Sequence, residues 1–420
     1  MAGILLGWDD ARASRPSIGF GVGTRGEARG ATLIEDADES HVLCVAPTGA
    51  GKSRGFIIPT LLSWSGPAIV VDVKGELTQT TASYRRRIGQ EVIVLDPWRM
   101  TTPTPSHFNP FDVLRSEADL ADGALSLASL LSGGAPKKSD PFWTERAETL
   151  IAGCIALTAL KHENANGSFE DVWRMLHADD TVYSLGVQLD MLGKDPDPFV
   201  VGAIGSALHT AEVTRAGIIS TAQSLVRVFA SRSVQDSLRN TDFALQAIDR
   251  GAPLTIYLVV PWGKLRSHAA LLRIWIASLM SVVLRRKRRP PLPTLFVLDE
   301  LAQLGPLDEV RTAATFGRAA GLRALFVLQS FAQLKQLYPD YETLVDNCGS
   351  MVTFGHTTPQ MSAGLAEMLG DVSAETLFSM RPEQVAIRTR GVPTRIGRRL
   401  DYLSDPLFSG RADPHPMFGK

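Results

Sequence analysis

The chain of 420 residues is poor in the side chains that build disulfide frameworks and metal sites. Its three cysteines, Cys44, Cys154 and Cys348, lie far apart and match no metal-ligand spacing. Its eight histidines do not cluster either, so the sequence predicts no zinc site. Such sparse cysteine usage is typical of a reduced, intracellular protein.

An excess of either charge is also missing. The sequence has 43 Lys and Arg against 44 Asp and Glu, which gives a net charge of −1. Since no global basic field can recruit nucleic acid, any contact with DNA must be local.

Long apolar runs are absent as well. No run reaches the ~18 residues of a typical transmembrane helix. The longest, LLRIWIASLMSVVL at 271–284, contains Arg273 and is typical of a buried helix. The N-terminal stretch MAGILLGWDDARAS lacks the basic start of a signal peptide. With 45% hydrophobic and 21% charged residues, the composition is that of an ordinary folded, soluble protein.

What is present is an alternation of short apolar strands with helical stretches. A strand that is apolar throughout is typical of a parallel sheet covered by helices on both faces. The sequence therefore predicts an α/β fold with a largely parallel sheet. The predicted core strands are HVLCVAP (41–47), AIVVDV (68–73), EVIVLDP (91–97), PLTIYLVVP (253–261), TLFVLDE (294–300), ALFVLQS (324–330) and SMVTFG (350–355).

The alternation stops for about 150 residues, where helical periodicity takes over. We expect an all-helical domain at 115–245, inserted between the two parts of a nucleotide-binding domain at 1–114 and 246–420. Residues 1–40, rich in glycine and charge, are predicted to form strands and turns that lead into the first core strand. Residues after about 385 are predicted to be a tail that wraps the surface.

The stretch VLCVAPTGAGKS (42–53) has the features of a phosphate-binding loop between a strand and a helix. Its backbone N–H groups and the following helix favour phosphate, the lysine binds the outer phosphates, and the serine hydroxyl ligates Mg²⁺. Ala46 replaces the usual first glycine, which is tolerable at the end of the strand if its φ is negative. We therefore expect ATP and Mg²⁺ as cofactors. The candidate nucleotide-binding residues are Thr48, Gly49, Ala50, Gly51, Lys52, Ser53 and Arg54.

Acidic and amide side chains follow two later strands. Asp299 and Glu300 come directly after TLFVL, and we expect Asp299 to share Mg²⁺ with Ser53 while Glu300 polarises the attacking water. A capping Asp at a strand–helix turn is the alternative for Asp299. Gln329 ends the next strand, and parallel strands bring their carboxyl ends to one edge. Gln329 can sense the γ-phosphate or orient water there, or it can be a solvated loop amide.

Several motifs together resemble the TraG-type coupling proteins of type IV secretion and conjugation, which are related to the FtsK and HerA DNA pumps. The resemblance implies a RecA-like P-loop ATPase with an inserted all-helical domain. It also implies a hexameric ring that recognises DNA or a relaxase–DNA complex and feeds it to the secretion channel. The motifs, in order, are HVLCVAPTGAGKSRGFIIPTLL, AIVVDVKGEL, VIVLDPW followed by FNPFD, LFVLDELAQLG, GRAAGLRALFVLQSFAQLKQLYP and DNCGSMVTFG.

The resemblance also assigns roles to single residues. Lys52, Ser53, Asp299 and Glu300 match the family's nucleotide motifs, and Gln329 matches its sensor. Arg318, in TFGRAAG, matches the family's arginine at the subunit boundary, where an arginine finger stabilises the transition state of the neighbour's ATP. From the residues alone Arg318 is a surface charge.

Three further features leave alternatives open. Asp72 and Lys74 match a family motif near the nucleotide edge, and a helix-capping cluster is an equally good interpretation. The basic run RRKRRP at 285–290 can bind phosphates or cap the preceding helix. The loop SGGAPKKSDP at 132–141 can be a mobile contact for DNA or relaxase, or a solvated linker.

The chain departs from the family at its N-terminus, where members usually have a transmembrane hairpin. Either the chain is truncated, or it is a soluble member in the cytoplasm that docks at the inner membrane through a partner; Met1 and the lead-in GILLGWDD favour the second. A DNA pump for plasmid maintenance or defence is one rival function. An ATP-gated platform that recruits protein substrates without moving DNA is another.

Overall fold

The computed structural model describes residues 3–9, 31–116, 119–133, 141–161 and 167–417. Of the predicted strands and turns at 1–40, residues 10–30 lie outside these ranges, as do residues 134–140 of the loop at 132–141. The strands are β1 (Ile4–Asp9), β2 (Thr32–Asp36), β3 (His41–Val45), β4 (Ala68–Asp72), β5 (Glu91–Leu95), β6 (Leu254–Val259), β7 (Thr294–Leu298), β8 (Leu322–Leu328), β9 (Cys348–Thr353), β10 (Gln384–Thr389) and β11 (Val392–Arg398).

These strands form one sheet in the order β2-β1-β11-β10-β9-β3-β8-β7-β4-β6-β5. From β9 to β5 every neighbouring pair is parallel. β3, β4, β6, β7 and β8 are buried along their whole length, because helices cover both faces. The predicted α/β fold with a largely parallel sheet is confirmed.

The other edge of the sheet is antiparallel and was not predicted. β10 pairs with β9 and β11, and β1 pairs with β11 and β2. The prediction that residues after about 385 form a surface tail is therefore wrong for 385–398, which belong to a β-hairpin of the sheet. Its turn contains Gly391 at φ 76°, and its exposed outer face carries polar residues that hid the strand pattern. Only the residues after β11 run across the surface.

Helices fill both faces of the sheet and the space between β5 and β6. They are α1 (Ile58–Ser63), α2 (Glu76–Arg87), α3 (Phe111–Leu114), α4 (Leu120–Ser132), α5 (Pro141–Lys161), α6 (Phe169–Leu176), α7 (Thr181–Asp190), α8 (Pro198–Leu208), α9 (Glu212–Val226), α10 (Arg232–Ser237), α11 (Leu245–Arg250), α12 (Trp262–Leu284), α13 (Asp308–Phe316), α14 (Phe331–Leu337), α15 (Tyr341–Asp346), α16 (Pro359–Leu369) and α17 (Ala374–Phe378).

The helices between β5 and β6 surround α5. Its middle is buried on all sides, and α4, α6, α8 and α9 pack against it. The apolar side chains of these helices join those of one sheet face in a single core. A capping box at the start of α6, where Ser168 and Asp171 bond each other's backbone, fixes one of the turns in this region.

α12 connects the helical region to the sheet. It is long and apolar enough to cross a membrane by length and composition, yet 72% of its most apolar stretch is buried inside the protein. The charge in this stretch has a structural role. Arg273 is buried and donates hydrogen bonds to the carbonyl oxygens of Leu130 (2.7 Å) and Leu131 (3.2 Å) at the end of α4, and to that of Leu304 (3.1 Å). The arginine thereby pairs carbonyls that the helix itself leaves open.

Candidate functional site

The loop after β3 turns sharply at two glycines and leads into a helix. Gly49 and Gly51 have φ of 81° and 83°, a region that other residues rarely adopt. A π-helical turn, Ser53–Ile57, follows and continues into α1. Ala46 is buried, donates its N–H to the Leu328 carbonyl at 3.0 Å and is not among the described residues with positive φ, as the sequence required. Thr48 and Gly49 form the exposed crest of the loop.

Lys52 is only 8% exposed. Its ammonium group donates to the carbonyl oxygens of Ala46 (3.0 Å) and Pro47 (3.4 Å), which hold it beside the loop. The charge therefore lies where phosphate oxygens would meet the backbone N–H groups.

The two acidic residues that follow β7 differ in environment. Asp299 is 5% exposed, and burial together with the nearby Glu300 charge raises its pKa to about 7. Lys52 and Lys74 oppose this rise. Glu300 is partly exposed and has φ 55° and ψ 38°, a left-handed conformation that costs about 1–3 kcal/mol for a non-glycine residue. Such strain persists where surrounding contacts enforce it, often at functional sites.

Gln329 supplies one of those contacts. It follows β8, the neighbour of β7, and its Nε2 donates a hydrogen bond of 2.6 Å to Oε2 of Glu300. The Gln329 backbone N–H in turn donates to the side chain of Gln333 at 3.0 Å. The structure thus brings Gln329 and Glu300 together at the edge where the phosphate-binding loop lies.

The hydroxyl of Ser53 donates a hydrogen bond to Oε1 of Glu76, at the start of α2. The other carboxylate oxygen of Glu76 lies 3.1 Å from Nε2 of His415, and Lys74 lies 3.9 Å from Glu76. Sequence reasoning missed Glu76. The signal was present in VVDVKGEL, because the carboxyl end of β4 lies at the same edge as the loop.

Asp72, in the same motif, caps α2. Its Oδ2 accepts hydrogen bonds from the backbone N–H and the hydroxyl of Thr78 at 2.8 and 2.7 Å, and Oδ1 accepts the Lys74 N–H at 3.3 Å. The structure therefore favours the helix-capping interpretation for Asp72.

The donor set fits a magnesium ion. Magnesium prefers oxygen ligands, and the Ser53 hydroxyl and the Asp299 carboxylate are oxygens of the kind that hold it beside phosphates. Burial and the Glu300 charge raise the pKa of Asp299, so the ionised carboxylate is unfavourable by itself and a divalent cation would stabilise it. The hydrogen bond from Ser53 to Glu76 leaves the oxygen lone pairs of the hydroxyl available as ligands.

Arg54 and Arg318 lie apart from this cluster. The side chain of Arg54 forms a bidentate ion pair with Asp401. Arg318 lies between α13 and β8, at the amino end of a seven-residue strand whose carboxyl end precedes Gln329. A strand of that length spans about 23 Å, so Arg318 does not reach the phosphate-binding loop of its own chain. It is 54% exposed and pairs with Asp38 at 3.0 Å.

The basic run 285–290 is largely occupied by structural contacts. Arg286 donates to the carbonyl oxygens of Asp249 (2.8 Å) and Gly321 (3.2 Å), and Arg285 donates to that of Ser281 (3.2 Å) in the last turn of α12. Arg289 pairs with Glu39. These contacts favour the capping interpretation over phosphate binding.

The chain is similar in sequence and in fold to proteins of conjugative DNA transfer. Residues 12–385 match the family model described as "Type IV secretory system Conjugative DNA transfer". The conjugal transfer protein TraG of Escherichia coli is 24% identical over an alignment of 390 residues that covers 88% of this chain and 60% of TraG. Protein VirD4 of Rhizobium radiobacter is 25% identical over an alignment of 421 residues that covers 89% of this chain and 58% of VirD4.

Solved structures share the fold. The bacterial conjugative coupling protein TrwB in its unbound form has a TM-score of 0.67 at 17% identity, with 88% of each chain covered. TrwB in complex with a non-hydrolysable ATP analogue has a TM-score of 0.70 at 17% identity, with 97% of this chain and 96% of that chain covered. The chain spans about 60% of the length of TraG. From the extent of the family match, the chain belongs to the type IV secretory system conjugative DNA transfer family.

Proposed function

We propose that the chain is the ATP-hydrolysing motor part of a type IV secretion coupling protein. The observation that carries this proposal is the hydrogen bond between Gln329 and Glu300, at the same sheet edge as Lys52 and Ser53. ATP hydrolysis requires a carboxylate that activates water, an amide that senses the γ-phosphate, a lysine that binds phosphate and a hydroxyl that binds Mg²⁺. Glu300, Gln329, Lys52 and Ser53 are of these kinds and lie at one edge of the sheet. The TrwB structures with nucleotide have the same fold.

In this proposal the loop binds the phosphates of ATP through the backbone N–H groups of residues 48–54. Lys52 neutralises charge on the outer phosphates, and Ser53 with Asp299 would hold Mg²⁺, which would offset the negative charge of the phosphates. Because the Asp299 carboxylate is buried and lies near the Glu300 charge, a bound cation would stabilise its ionised form.

Glu300 orients the attacking water and accepts its proton. The left-handed backbone at Glu300 turns the residue away from the strand path of β7, and the Gln329 amide holds its Oε2 from one side. The other carboxylate oxygen of Glu300, Oε1, is the one that accepts a hydrogen bond from the attacking water. Gln329 senses whether the γ-phosphate is present. Loss of the γ-phosphate therefore changes the position of Glu300 through the hydrogen bond between the two side chains.

Arg318 completes the site of a neighbouring subunit. It lies at the sheet edge opposite its own loop, which supports action in trans. Phe316, two residues earlier, exposes 67% of its surface, and an exposed aromatic beside an arginine is typical of a protein interface. We therefore propose a homo-oligomer, a hexameric ring when active, with Arg318 as its arginine finger.

The ring is proposed to recruit DNA or a relaxase–DNA complex and to feed it to the secretion channel, at the cytoplasmic side of the inner membrane. The names of TraG, a conjugal transfer protein, and of TrwB, a conjugative coupling protein, support this coupling role. Residues 115–245, which contain α4 to α10, are proposed as the inserted all-helical domain, between the two parts of the nucleotide-binding domain at 1–114 and 246–420.

One experiment tests the proposal. ATP turnover by the assembled protein is measured with and without DNA of arbitrary sequence, beside a Lys52→Ala control that removes the phosphate-binding charge. We expect turnover that rises with DNA and is lost in the control. Turnover that ignores DNA and responds to a protein substrate would favour a recruitment platform. Turnover that survives in Lys52→Ala would overturn the ATP site itself.

A further inference from the structure

The residues after β11 contact the phosphate-binding loop. We call residues 399–417 the strap; they lie beyond residue 385, where the match to the family model ends. The strap crosses the π-helical turn, α1 and α2. Its apolar side chains Leu400, Tyr402 and Phe408 are buried in the core there, and polar contacts are distributed along its length.

Arg399, at the start of the strap, touches the loop directly. Its Nη1 donates a hydrogen bond to the carbonyl oxygen of Ala50, and its guanidinium lies over the ring of Phe354 at 5.1 Å from the centroid. A loop that aims its N–H groups at phosphate turns carbonyl groups outward, and those need donors. Arg399 is such a donor. Burial lowers its pKa, yet arginine stays protonated at neutral pH.

Two glycines are explained by this side chain. A Cβ at Gly55, within the π-helical turn, would lie 2.6 Å from Cδ of Arg399, and one at Gly51 would lie 3.3 Å from Nη1. Glycine inside a helix is unfavourable relative to alanine. The absence of a side chain at Gly55 therefore has a local reason, which is to admit Arg399 against the loop.

The rest of the strap is anchored at several points after Arg399. Asp401 forms the ion pair with Arg54, and the Tyr402 N–H donates to the Arg54 carbonyl at 3.4 Å. Further along, the Asp413 N–H donates to the Thr80 carbonyl at 2.9 Å. His415 reaches Glu76, which accepts the hydroxyl hydrogen of Ser53. The strap therefore contacts the phosphate-binding loop and the turn after it directly at its start, and near its end it reaches Ser53 through Glu76.

We propose that Arg399 is a positioning residue for nucleotide binding, and that the strap forms part of the nucleotide site. The proposal rests on the proposed ATP function. By holding the Ala50 carbonyl, Arg399 fixes the orientation of the peptide that joins Ala50 to Gly51, so that its N–H points toward the phosphates. Its positive charge beside the loop adds to that of Lys52.

The test compares Arg399→Ala and Arg399→Lys with Arg395→Ala, a control that removes an exposed arginine of β11. The affinity for a fluorescent ATP analogue, kcat and KM are measured for the full chain, and thermal unfolding without nucleotide checks the fold. We expect Arg399→Ala to weaken binding about tenfold, equivalent to one hydrogen bond to a charged group. KM should rise more than kcat falls. Arg399→Lys should restore part of the affinity, and the control should behave as wild type.

The outcomes separate the inference from the function on which it rests. A wild-type chain that does not bind the analogue refutes the proposed ATP site. Wild-type binding with unchanged affinity in Arg399→Ala refutes only the role of Arg399. If Arg399→Ala does not fold, Arg399→Lys decides, since a lysine without the planar guanidinium should still lose several-fold in affinity. Limited proteolysis gives a second measurement: bound analogue should protect the strap in wild type, and equal cleavage with and without it counts against the proposal.

Discussion

Gln329 donates a hydrogen bond of 2.6 Å to Glu300 across two neighbouring strand ends, and Glu300 has the left-handed backbone conformation. In the proposed mechanism the loop and Lys52 supply most of the phosphate binding, and the contact between Gln329 and Glu300 acts on the attack by water. We predict that Gln329→Ala lowers kcat by about 10- to 100-fold, a fraction of what general base catalysis contributes, with little change in KM. Steady-state ATP turnover measures both. Gln336→Ala, an exposed glutamine on α14, is the matched control, and a change confined to KM would contradict the assignment.

Two substitutions in the phosphate-binding loop should have opposite effects on ATP turnover. Lys52→Ala should abolish ATP turnover while the thermal unfolding midpoint stays close to that of wild type, since the lysine bonds only loop carbonyls. Ala46→Gly should be nearly silent in turnover, because Ala46 ends β3 and needs no positive φ. Turnover at the wild-type rate in Lys52→Ala would remove the central claim.

Arg318 should act on the ATP of the neighbouring subunit. Arg318→Ala is expected to bind ATP normally and to hydrolyse it about 10³- to 10⁵-fold more slowly, as with arginine fingers elsewhere. Mixing it with Glu300→Gln protein should restore part of the activity, because each variant supplies the group that the other lacks at a shared interface. Asp38→Asn, which removes the partner of Arg318 within its own chain, is the control for surface charge. Mixed rings of confirmed assembly that show no recovery would place Arg318 elsewhere.

The buried side chain of His41 should make the free energy of unfolding depend on pH. It is buried at the start of β3, its Nδ1 accepts the Ala324 N–H at 3.0 Å, and its Nε2 lies 3.1 Å from the Ala314 carbonyl. Burial, with a smaller contribution from Arg323, lowers its pKa from 6.5 to about 4. The unfolded chain therefore binds more protons between these pH values, and the free energy of unfolding falls as pH drops from 6.5 to 4, by about 3 kcal/mol.

Urea unfolding at pH 5.0 and 7.0 measures this effect. His41→Gln can form both hydrogen bonds and cannot titrate, so its loss of stability on going to pH 5.0 should be smaller than that of wild type. Equal losses in the two proteins would show that His41 is protonated in the folded state or that the ring is not buried.

The sequence was sufficient for the parts of the site that depend on local pattern. Each of Lys52, Asp299 and Gln329 follows a short apolar strand, and parallel pairing brings those strand ends to one edge. Ala46 likewise occupies the position that the strand pattern assigned to it. The domain boundaries at 115 and 245 stay a prediction.

Long-range contacts could not be predicted. Arg399 meets Ala50 across 349 residues, and His415 meets Glu76 across 339, so no spacing in the sequence joins them. The pairing of β10 with β9 was also hidden, because β10 has only three consecutive buried residues, Val385, Ala386 and Ile387, and the exposed Arg388 follows them. The space for Arg399 beside Gly55 could not be predicted either, because the two residues lie far apart in the sequence.

The last prediction concerns what ATP hydrolysis drives. A motor that moves DNA must pass any sequence, so its contacts are mainly to phosphates rather than to base edges. A net charge of −1 excludes global attraction, and binding should depend on a few arginines and lysines per subunit gathered in the ring. Each neutralised phosphate releases counterions, which gives a slope of about −0.9 per contact on duplex DNA and −0.7 on single strands in log affinity against log salt.

We therefore expect DNA-stimulated ATP turnover to decline steeply between 50 and 200 mM salt, conditions chosen on the basis of that dependence. Basal turnover without DNA should change far less, since the loop and Lys52 bind nucleotide in a partly buried site that salt screens weakly. Stimulation should be independent of DNA sequence and weak at protein concentrations too low for assembly, because Arg318 requires a neighbour. A shallow salt dependence of the stimulated rate, with assembly confirmed, would indicate that nucleic acid is not held by phosphate contacts and would favour recruitment of a protein substrate.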